Sequence, residues 1–227
     1  MLANAGVKVA IAARRRDRLD ELVDKIRAVG GVAEAITLDV GDAGGIPDAV
    51  KLAETLLGPV SILVNNAGMV HQAPAISQEV ELIDRMIATN FRGPFILARE
   101  VARRLIELER PGSIVNIASI GAHVYTNIVP VALYAITKTA VLRMTEVLAL
   151  EWAPNHINVN AISPGFFRSE MSEDMIEEMG DVLTASMPRK RYGEPNQLDS
   201  TLLYLVSPGA ELVTGTCIIV DDAQMPR

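Results

Sequence analysis

Six short runs rich in Val, Ile, Leu and Ala, separated by longer stretches of helical period, constrain this chain more than anything else in it. Strands are expected over residues 7–13, 33–38, 61–64, 113–118, 156–161 and 216–220. Helices are expected between them, over 17–29, 46–57, 78–109, 133–152 and 196–206, with one or two more over 170–186. Runs this apolar suit strands buried on both faces, and their alternation with helices is the pattern of βαβ units. The fold class that follows is α/β, a doubly wound parallel sheet. Local signals agree with it. Pro47 suits the first turn of its helix, and Gly30-Gly31 closes the one before. Residues 1–6 read as the last turn of a helix, with Gly6 placed to end it.

A chain of 227 residues is expected to form one domain, residues 1–227. Apolar residues make up 49% and aromatics only 4%, which suits a core of aliphatic side chains. A net charge of −7 argues against nucleic acid as a partner. The single Cys217 excludes an intrachain disulfide, fits a cytoplasmic protein, and reads as a buried structural thiol. Residues 1–13 are apolar, but Lys8 interrupts them and the arginines follow rather than precede, unlike a secretory signal. No run approaches the ~20 apolar residues of a membrane span. The three histidines, His71, His123 and His156, show no metal-ligand spacing to one another or to Cys217, so no metal is expected. His71 and His123, with Tyr125, are read as loop residues that could also face a substrate.

Tyr134 and Lys138 carry the first chemical signal. Four residues apart on a helix, they share a face. A phenol titrates near ~10, and a fixed cation beside it favours the phenolate. The pair can therefore serve as a proton carrier for interconverting an alcohol and a ketone. Around it stand Asn65-Asn66-Ala67-Gly68 after the run Ile62-Leu63-Val64, and Asn90 between Thr89 and Phe91. Ser119 follows the run 114–118, and Pro164-Gly165 follows the run 157–162. Gly68 sits beyond the carboxyl end of a strand, where open α/β sheets bind ligands, though Asn and Gly also make ordinary turns. Ser119 by itself could be a strand-end cap, and Asn90 a helix breaker.

In their order and spacing these motifs resemble the short-chain dehydrogenase/reductase family in its compact single-domain form, over residues 2–220. The resemblance implies a Rossmann-like sheet and a catalytic set of Asn90, Ser119, Tyr134 and Lys138. Tyr134 would move the proton, and Ser119 would position the substrate oxygen. Lys138 would lower the tyrosine's proton affinity and hold the nicotinamide ribose. Asn90 would interrupt its helix and hold a water linking Lys138 to solvent. It also implies cofactor contacts from Arg14, Asp39, Asn65, Ala67, Gly68, Tyr134, Lys138, Pro164, Gly165 and Ser169. Arg14 stands where an NAD-specific relative would carry an acid, so NADP(H) is favoured over NAD(H). Cations at a helix start oppose its dipole, which makes a compensating anion plausible near Arg14, Arg15, Arg16 and Arg18. The stripe Met171, Met175, Ile176, Met179, Val182, Leu183 and Met187 reads either as a substrate lid or as core.

The reaction implied is hydride transfer between NADP(H) and a ketone or secondary alcohol, with a 3-oxoacyl or other small carbonyl substrate. A homodimer or homotetramer is implied, paired through the helices over 91–109 and 133–152. Phe95, Ile96, Val101, Val141, Met144 and Val147 are the candidate contacts, or else pack on the chain's own sheet. The chain departs from the family twice. Val220-Asp221-Asp222-Ala223 replaces the commoner Val-Asp-Gly-Gly, which bears on packing of the C-terminal tail. The family's first strand and glycine-rich turn are not seen, so the fold is expected to be N-terminally truncated. The strands flanking that place would shift, and pyrophosphate binding would weaken. The alternative reading is therefore a cofactor-free paralogue acting as a structural or regulatory subunit.

Overall fold

The computed structural model describes residues 1–125 and 129–225. Six parallel strands alternate with seven α-helices among them. The first half comprises β1 (Val9–Ala13), α1 (Arg16–Ala28), β2 (Ala33–Thr37), α2 (Ile46–Leu57), β3 (Ile62–Asn65), α3 (Val80–Ile87) and α4 (Gly93–Glu107). The second comprises β4 (Gly112–Ile117), α5 (Ala132–Trp152), β5 (Ile157–Pro164), α6 (Glu173–Ser186), α7 (Asp199–Val206) and β6 (Cys217–Val220). The parallel α/β class is as expected, with element ends within a few residues. A 3₁₀ turn over Leu2–Ala5 precedes them, and Gly6 ends it at φ 83° in the left-handed region.

The strands form two ladders, β1-β2 and β3-β4-β5-β6. Among the described residues β1 pairs with β2 alone and β3 with β4 alone. The interruption falls between the two strands that the resemblance places on either side of the family's first strand. All three apolar residues of β3 are only partly buried, and Ala12 and Ala13 of β1 are exposed. By contrast β4 and β5, paired on both sides, hold fully buried Ile114, Val115, Val159 and Ile162.

Period-two alternation sends neighbouring strand residues to opposite faces. Ile114 and Val159 join Ala98, Val101, Leu105, Val141, Met144 and Leu148 of α4 and α5 in the larger core. Val115 and Ile162 meet Leu205 of α7 on the other face. Val101, Val141 and Met144 thus pack on the chain's own sheet and are withdrawn as intersubunit contacts. Phe95 and Val147 stay exposed, beside Ile136 and Leu150. A third, smaller core gathers Met175, Leu183 and Met187 around Phe166 and Tyr192. These three members of the methionine-rich stripe are therefore packing residues, while Met171 and Val182 remain exposed.

The helix expected over 78–109 is broken by a π turn over Ala88–Arg92. Pro94 has no N–H to give the Asn90 carbonyl, so the α ladder cannot run through this point. Gly93 is needed there too, because a Cβ on it would overlap the Val40 carbonyl oxygen. In the C-terminal tail, Asp222 and Ala223 adopt φ 52° and 63°, left-handed conformations at the two positions where the family has Gly-Gly. The turn forms nevertheless. Asp221 accepts from the Ala223 and Met225 amides, and Arg191 and Arg189 pair with Asp222.

Candidate active site

Ser119, Tyr134, Lys138 and Asn90 converge at the carboxyl ends of β3 and β4. Ser119 follows β4 in extended conformation and caps a 3₁₀ turn, its Oγ accepting from the Gly121 amide at 3.1 Å. The capping role and a substrate role are therefore compatible, since a hydroxyl oxygen has a second lone pair. Tyr134 lies in the first turn of α5, its phenol close enough to the Ser119 hydroxyl for that group to favour the ionised form. One turn on, the Lys138 ammonium sits 5.8 Å from the Tyr134 ring centroid and donates to the Ile117 carbonyl at 2.7 Å.

The electrostatics differ from expectation in one respect. Burial pushes the Tyr134 phenol up from 10.0, and only the Ser119 hydroxyl opposes it. The phenol is therefore not held down as the sequence suggested, since burial outweighs what opposes it. Burial lowers Lys138 from 10.5 to about 8. Desolvation thus favours the neutral form of both groups. The lysine is left titrating near neutrality, suited to passing protons.

Asn90 is 1% exposed, and its amide is almost fully used. Its Oδ1 accepts from the Met69 amide at 2.8 Å, while Nδ2 donates to the Met69 carbonyl at 2.9 Å and to Thr137 at 3.1 Å. No side-chain donor remains, so any water at this side chain must donate to Oδ1. Its evident work is to clamp the segment after β3 against α5. That segment brings Gly68 against the catalytic groups. A Cβ there would stand 3.5 Å from Lys138 Nζ, 3.6 Å from Asn90 Oδ1 and 3.7 Å from Met171 Cε.

Asn65 ties β3 to β4, its Nδ2 donating to Asn116 Oδ1 at 2.9 Å and to the Pro94 carbonyl at 3.2 Å. Asn116 continues the chain to Thr145 on α5. Asn65 Oδ1 is buried with no hydrogen-bond partner among the described residues, at the strand edge where the ladder is interrupted. Asn116 and Thr145 carried no motif and were missed. An Asn amid the apolar run of β4 was the available signal.

The remaining predicted cofactor residues lie along the same sheet end. Ala67 is exposed beside Gly68. Asp39 is exposed and accepts from the Gly41 amide, the turn-capping alternative, which leaves its second oxygen for a ligand. Pro164 ends β5, and Gly165 donates to the Val220 carbonyl, packed against Gln224 too closely for a side chain. Ser169 is exposed, its hydroxyl 3.1 Å from Ser172 Oγ, a partner the sequence reading did not single out. Arg14 is exposed with no ion pair among the described residues. The compensating anion is Glu170, which bonds both Arg15 and Arg18. His123 hydrogen-bonds Ser163 at 3.0 Å, and Ser163 in turn lies 3.1 Å from Cys217 Sγ. Burial pushes the Cys217 thiol up, as suits a structural residue. No group of three or more metal-ligating side chains occurs among the described residues.

A parallel α/β sheet with Ser, Tyr, Lys and Asn meeting at its carboxyl end defines a class, and the chain belongs to it: the short-chain dehydrogenase/reductase family. The family profile described as Enoyl-(Acyl carrier protein) reductase matches residues 1–222. The chain is 32% identical over 222 residues to gluconate 5-dehydrogenase of Gluconobacter oxydans, covering 97% of this chain and 86% of the relative. It is 31% identical to 3-oxoacyl-(acyl-carrier-protein) reductase of Thermotoga maritima, over 97% of this chain and 89% of that one. A solved gluconate 5-dehydrogenase from Burkholderia cenocepacia, in complex with NADP and tartrate, superposes with TM-score 0.91 at 29% identity. That match covers 98% of this chain and 87% of the other.

Proposed function

We propose that this protein transfers a hydride between NADP(H) and a ketone or secondary alcohol, with Tyr134 as the proton carrier. The observation that carries the reading is the placement of the Tyr134 side chain, next to Ser119 and with the buried Lys138 ammonium 5.8 Å from its ring. The residues fit a nicotinamide dinucleotide. Gly68 leaves room that a Cβ would take beside Lys138, and free Arg14 supplies charge for a 2′-phosphate at the far end of the cleft. Asp39, Asn65, Ala67, Pro164, Gly165 and Ser169 add contacts toward the adenosine and nicotinamide ends, and Asn90 holds the segment after β3 against α5. When bound, the nicotinamide supplies or takes up the hydride.

The chain's own part is proton movement and positioning. In the reductive direction the substrate oxygen accepts from Ser119 Oγ and Tyr134 Oη. As charge grows on that oxygen, the Tyr134 proton passes to it, and Ser119 steadies what remains. A phenol raised by burial holds its proton until charge develops on the substrate oxygen, so Tyr134 stands in the resting site as a proton donor. Lys138 titrates at about 8, which lets the proton be replaced near neutral pH. The related gluconate dehydrogenase and 3-oxoacyl reductase are named for very different carbon skeletons. We therefore assign a small carbonyl or 3-oxoacyl compound as the substrate class. We further propose a cytoplasmic homodimer or homotetramer paired through α4 and α5, where Phe95 and Val147 stay exposed. Among the described residues no helix is long and apolar enough to cross a membrane.

Tyr134→Phe tests the assignment. It keeps the ring and removes the proton carrier, so turnover of a carbonyl with NADPH should fall ~10²–10⁴-fold. A folded variant retaining more than about a tenth of the rate overturns it.

A further inference from the structure

Arg15 and Arg18, at the start of α1, are held by a carboxylate from the other end of the chain. Glu170 accepts from Arg15 Nη1 at 2.8 Å and Nη2 at 2.5 Å, and from Arg18 Nη1 at 2.5 Å. The two arginines lie one turn apart, just beyond β1, next to the free Arg14. Glu170 lies in the segment between β5 and α6, directly after Ser169. The guanidiniums hold its carboxyl down to about 2, so it is an anion at any working pH. Arg18 and Glu170 also line an open cavity of about 540 Å³, together with Arg168, Ser169, Glu173, Ile176 and Glu177. The arginine cluster after β1 therefore already carries an anion, and that anion is next to Met171, whose Cε would lie 3.7 Å from a Cβ on Gly68.

We propose that Glu170 is an internal competitor for the cofactor 2′-phosphate: it occupies Arg15 and Arg18 until that phosphate displaces it and unties the stretch around Ser169 and Met171 from α1. This rests on the NADP(H) reading above. A 2′-phosphate carries about −1.5 to −2 charge and three acceptor oxygens, against one charge and two oxygens for Glu170. It can therefore take over both guanidiniums, bidentately at either. A 2′-hydroxyl cannot. Displacement also removes a strap between the first βα turn and the segment carrying Ser169, Met171 and α6. Recognition at the adenosine end would thus reach Met171, beside Gly68. The contact is solvent-exposed on both sides, so its strength is that of a surface ion-pair network.

Binding and cleavage measurements on the same chain test this. Fluorescence titration of Glu170→Gln, with a melting curve to show it folded, should give NADPH affinity about three- to tenfold tighter than wild type, with NADH affinity unchanged. Trypsin should cut faster at Arg168, beside that stretch, in the variant. In wild type, 2′,5′-ADP should speed the same cleavage while 5′-ADP should not. Equal tightening for both cofactors overturns the competitor role in favour of a strap across the whole cleft. An unchanged NADPH-to-NADH ratio, or cleavage indifferent to 2′,5′-ADP, overturns it outright. If neither folded protein binds NADPH, the NADP(H) reading falls and takes this proposal with it; if NADPH binds with the ratio unchanged, only the competitor role is lost.

Discussion

Replacing Lys138 by Met should make stability less responsive to alkaline pH, and by an amount the structure sets. Lys138 is 4% exposed, and burial lowers it from 10.5 to about 8. The unfolded chain therefore binds more protons than the folded one between those two values. Stability of the wild type must rise with pH across that window, the reverse of a lysine held by a carboxylate. At pH 7 the buried ammonium costs about 3 kcal/mol, and at pH 9.5 only about 1 kcal/mol remains, a gain of about 2 kcal/mol. Methionine has similar length and no charge. Its substitution also leaves the Ile117 carbonyl without a donor, a loss of about 1–3 kcal/mol that does not depend on pH. The absolute stabilities of the two proteins thus say little, and their difference as a function of pH says much. Urea denaturation of both at pH 7 and 9.5, at one ionic strength, should show the wild type gaining about 2 kcal/mol relative to the variant. Tyr134, already raised by burial, stays protonated over most of this range. A relative gain below about 0.5 kcal/mol would show that the ammonium is hydrated in solution, and the argument for a lysine titrating near neutrality would fail.

Ala223→Gly should stabilise the protein by about 0.5–1 kcal/mol, since an L-residue pays for φ 63° and glycine returns only part of that in unfolded-state entropy. A melting temperature unchanged or lowered would count against it. Gly93→Ala should destabilise by at least ~1–3 kcal/mol, because the new Cβ meets the backbone oxygen of Val40 rather than a movable side chain; a shift under about 0.5 kcal/mol in urea would refute that. Leu150→Arg, at a position 81% exposed beside Val147, should turn an oligomer into a monomer in sedimentation without lowering the monomer's stability. Retention of the wild-type mass would place the subunit contact elsewhere.

Strand and helix order was legible in the sequence because hydrophobic period is local. The expected helix over 46–57 coincides with α2, and the one over 133–152 with α5 to within one residue. The spacing of Tyr134 and Lys138 guaranteed that both would share a helix face, and helix geometry alone brings them together. The same periodicity could not tell which side of α4 and α5 the sheet would claim. Val101, Val141 and Met144 went to the core, while Val147 and Leu150, equally apolar, stayed outside. Only contacts distant in sequence decide that. Charge states depended on tertiary neighbours in the same way. Tyr134 was expected to be held down by the lysine next to it, but folding removed water from both groups and pushed the phenol up. Glu170 lies 155 residues from Arg15, and nothing in either local pattern paired them. The break between β1 and β3 falls where the resemblance had placed the family's first strand, so its position was legible in the sequence, whereas the burial each strand keeps beside it was decided by the assembled sheet.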